Sequence, residues 1–112
     1  MAWRPERWAA EAGARDVARL DIPADALRER SFEIFCRLVV RTTRPDATHA
    51  MRVLVNGALE WERKLPTHAS GDDSLDLRLR CSVPLGRPLR ITATCELRGS
   101  QRVSLSINAE EE

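Results

Sequence analysis

Apolar and polar positions alternate with period two through most of the chain between Phe32 and Ala109. The run Phe32-Glu33-Ile34-Phe35-Cys36-Arg37-Leu38-Val39-Val40-Arg41 shows it, as do residues 74–83 and 89–97. Successive side chains on a strand point to opposite faces, so each run predicts a half-buried strand with one wet side. Such strands suit antiparallel sheets packed face to face, not a parallel sheet covered on both sides.

Seven strands are predicted. They cover Asp16–Ile22, residues 32–41, Met51–Val55, a segment from Ala58 to the loop beginning at Leu65, then 74–83, 89–98 and 102–109. Asn56-Gly57 is a strong hairpin signal. A three-residue loop, Val55-Asn56-Gly57, would set Val53 opposite Leu59 and Met51 opposite Trp61, so that both apolar rows coincide. Gly99-Ser100-Gln101 is expected to turn a last hairpin, and Glu110-Glu111-Glu112 to be a solvated tail. Residues 24–30 read as one helical turn. Residues 4–13 read as a short helix, with Pro5 in its first turn, Ala9, Ala10 and Ala12 within it and Gly13 as its stop. The expected organisation is a helical arm over residues 1–14 and a β-sandwich domain over 15–112.

With 112 residues, 43% of them hydrophobic and 31% charged, the chain fits one globular domain with a core of its own. Its net charge is +1, which gives no field to gather nucleic acid or an anionic membrane. No apolar run approaches the roughly 20 residues of a membrane span, and residues 1–8 hold no apolar signal core. The expected setting is cytoplasmic, with Cys36, Cys81 and Cys95 as reduced thiols in the inward phase of their strands.

In an immunoglobulin-like strand order Cys36 and Cys95 would face each other across the sandwich. The resemblance to that fold is one of architecture only. Ala93 stands where the tyrosine corner would be, and Trp61 lies too far along for the core tryptophan. Buried cysteines acting as small hydrophobes explain the same positions.

Catalytic and cofactor motifs are missing from the sequence. No serine sits in a Gly-x-Ser-x-Gly elbow, no glycine-rich loop suits a phosphate, and no cysteine spacing suits a metal. His49 and His68 read as loop histidines, with Asp46, Asp72 and Asp73 near in sequence. They are the only candidates for a metal-dependent enzyme.

Phe35 and Val39 are apolar on an outward row shared with Glu33, Arg37 and Arg41. Either the N-terminal helix covers them with Trp3 and Trp8, or another subunit does. The leading expectation is therefore a non-catalytic module without cofactors that binds another protein or a second copy of itself. Its surface would comprise Trp3, Trp8, Phe35, Val39, Arg37 and Arg41. The alternative is a carbohydrate or small-ligand domain using Trp3 or Trp8 beside Arg37 and Arg41.

Overall fold

The computed structural model describes residues 4–112. Among them are eight strands: β1 (Arg7–Glu11), β2 (Val17–Ile22), β3 (Arg30–Thr42), β4 (Thr48–Val55), β5 (Ala58–Pro66), β6 (Asp72–Val83), β7 (Leu89–Arg98) and β8 (Ser100–Glu111). They form two four-stranded sheets, ordered β1-β8-β3-β6 and β2-β7-β4-β5. All neighbours are antiparallel. Strand β1 pairs β8, β2 pairs β7, β3 pairs β6 and β4 pairs β5. The chain is thus one long hairpin, tipped by Asn56-Gly57 and wrapped into two layers. This is the eight-strand jelly roll, not the seven-strand immunoglobulin-like order.

The inward rows of both sheets supply one core. Phe32, Ile34, Cys36, Leu38 and Val40 of β3 and Leu105, Ile107 and Ala109 of β8 come from the first sheet; Leu20, Ile22, Met51, Val53, Ile91 and Ala93 come from the second. Burying a side chain such as Ile34 or Leu38 contributes about 1.5–3 kcal/mol, and this recurs at every alternate position.

Residues 4–13 do not form the predicted helix. Trp8 lies opposite Ala109 and Ala10 opposite Ile107 on β8, and Trp8, Ala10 and Ala12 pack on the core. The helix preference of alanine amounts to about a few tenths of a kcal/mol per residue. It yields here to the open edge of β8, which offers a ladder of hydrogen bonds. Residues 24–30 form no helical turn either; the Asp25 carboxylate accepts from the Leu27 amide at 2.8 Å in an irregular bend.

The Asn56-Gly57 hairpin has two turn residues rather than three. Both have positive φ, 50° and 84°, as the tight turn that matches strand twist requires. Val55 lies opposite Ala58 and Leu54 opposite Leu59, and the register then slips so that Val53 meets Trp61 and Met51 meets Arg63. A bulge at Glu60 thus brings Trp61 into the inward row, which the longer turn was expected to do.

Strands β7 and β8 are not a hairpin. They lie in different sheets, and Gly99, with φ 65°, turns the chain from one to the other. Nor are residues 110–112 a free tail. Glu111 is buried at the end of β8, where its carboxylate accepts from Arg28 and from the Glu6 amide. Arg28 holds the Glu111 carboxyl below the usual carboxylate range.

Candidate functional site

Trp8 and Phe35 lie on opposite faces of the first sheet, so Trp8 does not cover Phe35. Trp8 points inward from β1, and its indole Nε1 donates to Glu6 at 3.0 Å. Phe35, Arg37, Val39 and Arg41 stand on the outward face of β3, and Trp3 lies outside the described residues. Among the described residues Phe35 is covered by neither a helix nor a tryptophan. The Arg78 guanidinium sits 4.9 Å from its ring centre and is ion-paired with Glu33 at 2.9 Å. Arg37 and Arg41 are matched across the strand by Asp76 at 3.5 Å and Asp72 at 2.9 Å.

His49 is a strand residue, not a loop residue. It occupies the inward row of β4 and is wholly buried. Its Nδ1 lies 2.8 Å from the Thr67 hydroxyl, and among the described residues its Nε2 has no partner. Burial pushes its pKa down, against the opposing pull of Asp73. His68 is exposed at the same end of the sandwich, its amide donating to Asp73 at 2.9 Å. Among the described residues no group of three or more His, Cys, Asp or Glu is placed to hold a metal ion.

All three cysteines are free and buried. Burial pushes the Cys36 thiol up to about 12 and the Cys95 thiol up to about 11. Neither is a nucleophile near neutral pH.

A polar depression lies on the outer face of the second sheet. There Thr48 stands opposite Arg98 on β7, and the next outward residue, Ala50, stands opposite Lys64 on β5. The long cationic side chains of Arg98 and Lys64 therefore flank short residues of β4. Arg44, Pro45 and Asp46 of the β3–β4 connection close the end of this depression, whose volume is about 550 Å³.

The connection is held on both flanks. The Thr43 amide donates to the Gly99 carbonyl at 2.9 Å, and Thr67 donates to the Ala47 carbonyl at 2.8 Å. The Thr42 hydroxyl donates to the Arg44 carbonyl at 2.8 Å. Arg44 lays its stem across Gly99, where the lack of a side chain makes room. None of the ion pairs among the described residues involves Arg44, Lys64 or Arg98.

A larger depression, about 1140 Å³, lies at the far end between Val17, Ile22, Pro23, Pro84 and Pro88. Its Asp21 is matched to Arg90 at 2.6 Å and to Arg19 at 3.2 Å. Arg87, which joins no ion pair among the described residues, lines this cavity too; the smaller one differs in gathering three such cations rather than one. Periodicity gives no sign of the smaller site, because positions 44, 64 and 98 come from three elements joined only by the fold.

Fold and pocket together define a jelly-roll β-sandwich with an open, cation-lined depression on one outer face. No family model matches the chain, and no curated protein matches it. Among solved structures it is similar to dimeric latent PorU from Porphyromonas gingivalis, with a TM-score of 0.57 and 14% identity over 96% of this chain. The chain spans only 13% of that protein. It is also similar to a family 35 carbohydrate binding module from an environmental isolate, with a TM-score of 0.49 and 11% identity over 88% of this chain and 71% of the other. A family 35 carbohydrate binding module from Clostridium thermocellum gives a TM-score of 0.44 and 12% identity over 92% and 90%. At such identities the PorU likeness speaks for the fold alone.

Proposed function

We propose that this chain is a non-catalytic binding module whose pocket between Arg44, Lys64 and Arg98 takes an acidic carbohydrate. The observation that carries the reading is the convergence of these three cations, from three elements, on one depression without an ion pair among them. Arg37, Arg52 and Arg90, on the outer rows of the two sheets, are by contrast matched by Asp76, Glu62 and Asp21.

Guanidinium and ammonium groups hold a carboxylate or sulfate by charge-assisted hydrogen bonds. Asp46 and Thr48 line the same pocket, and a carboxylate accepts from sugar hydroxyls while a threonine hydroxyl both donates and accepts. The Pro45 ring offers a small apolar surface to the C–H face of a sugar. A neutral sugar would leave three cations unmatched, and a bare anion would leave Asp46 opposed to it. A ring bearing hydroxyls and one acidic group gives the cations an anion and gives Asp46 hydroxyl donors at the same time.

The pocket is open, so the affinity expected for one sugar unit is modest. About a dozen non-hydrogen atoms at roughly 0.3 kcal/mol each give a dissociation constant on the order of a millimolar. Backbone amide NMR with added glucuronate, then glucose, tests the reading. Saturable shifts at residues 44, 46–48, 64 and 98 with glucuronate only are expected. Shifts elsewhere, or equal shifts with glucose, would remove the assignment.

A further inference from the structure

The four sheet edges differ in how they are protected. Strands β1 and β2 are short, at 5 and 6 residues. Strand β5 carries the bulge at Glu60, then Lys64, and ends at Pro66. Short length, bulges, lysine and proline all discourage pairing with another chain. Strand β6 has none of these. It is 12 residues long, lacks proline and lysine, and follows β3 in unbroken register from Val83 to Asp72. Among the described residues its other side pairs with no strand.

Its side chains are arranged in a self-complementary way. The inward row holds Leu75, Leu77 and Leu79, of which Leu77 and Leu79 remain only half-buried. The outward row runs from acid to base: Asp72, Ser74, Asp76, Arg78, Arg80.

We infer that β6 pairs antiparallel with β6 of a second copy about a two-fold axis through Leu77. In that register Asp76 faces the partner's Arg78, Ser74 faces the partner's Arg80, and Leu75 faces the partner's Leu79. The symmetry makes each contact twice, as an isologous interface requires. Sliding by the next step that keeps the faces aligned sets Asp76 against the partner's Asp76, or Arg78 against the partner's Arg78. Sliding by a single residue turns the leucine row to the wrong face. One register therefore satisfies both charge and apolar rows.

The ion pairs already present extend it. Arg37 holds Asp76 at 3.5 Å and Glu33 holds Arg78 at 2.9 Å. Across the axis the order becomes Arg37, Asp76, the partner's Arg78, the partner's Glu33, alternating in sign. The two outer faces that carry Phe35, Arg37, Val39 and Arg41 then form one surface.

Light scattering on a sizing column, with charge-swapped variants, tests this. The wild-type chain should be a concentration-dependent dimer. Asp76→Arg and Arg78→Asp should each weaken it about tenfold or more, because like charges then meet twice. An equimolar mixture of the two variants should recover the dimer, since each D76R chain meets opposite charges on an R78D chain. Recovery also shows that both variants fold. As a second measurement in the otherwise native chain, Leu77→Cys should give a disulfide-linked dimer on mild oxidation, because residues opposite in a ladder lie about 4.5–5.5 Å apart. A monomeric wild type, variants that dimerise as well as it does, a mixture that stays monomeric, or no Leu77→Cys cross-link would each overturn the pairing.

Discussion

A β-carbon added to Gly99 would lie 2.5 Å from Nε of Arg44 and 2.7 Å from its Cγ. The bare backbone of the β7–β8 turn is therefore the seat of one of the three pocket cations. Two residues 55 apart in sequence are joined by a space that only glycine leaves.

Gly99→Ala should displace Arg44 and weaken glucuronate binding about tenfold, as Arg44→Ala should. The positive φ of 65° adds strain of about 1 kcal/mol, small enough for the fold to persist. A titration of each variant beside its thermal melt checks this. Unchanged binding by Gly99→Ala would mean that Arg44 does not need its seat.

His49 predicts a pH dependence of stability. Its folded pKa is depressed by burial below the ordinary 6.5, with Asp73 pulling the other way. Between those two values the unfolded chain binds more protons, so stability rises with pH. Its contribution is complete above about pH 6.5 and is lost as pH falls toward the folded value. Thermal melts should show this slope in the wild type and not in His49→Gln. Asp73 is shifted down chiefly by the His68 amide, so its own contribution is lost only at more acid pH, below about 4. That second limb should survive in the variant.

The buried charge cluster at the opposite end of the sandwich predicts a larger loss. Arg30 is buried, donates to Glu6 at 3.0 Å and to the Pro23 carbonyl at 2.7 Å, and lies over Phe32. Arg30→Ala leaves that carbonyl without its donor and removes one of the cations that face Glu6. The expected cost is about 2–3 kcal/mol, a fall in melting temperature of roughly 10 °C or more. A shift of only a degree or two would show that water replaces the guanidinium without loss.

The alternation of residues 32–41, 74–83 and 89–98 made the two-layer β architecture and most of the core legible, Leu38 and Ile91 included. Alternation tells which face a side chain takes but not which strand lies beside it. Hence β7 and β8 look like a hairpin in sequence and sit in different sheets. At the N-terminus the alternation of Trp8, Ala10 and Ala12 was present, but alanine-rich local preference pointed to a helix. His49 continues the inward row of Met51 and Val53, a signal hidden by assigning it to the preceding polar connection. The pocket was the least legible feature, since residues 44, 64 and 98 share no spacing, and only the pairing of β4 with both β5 and β7 unites them.

Calorimetric titration of glucuronate at low and high salt is the most direct measurement, comparing the wild-type chain with the triple variant Arg44→Ala, Lys64→Gln, Arg98→Gln. The wild type should bind with a constant on the order of a millimolar, more weakly as salt screens the exposed cations, and the variant should show no measurable heat. A variant that binds as the wild type does, or a wild type that takes glucose equally well, would contradict the assignment of this pocket to an acidic sugar.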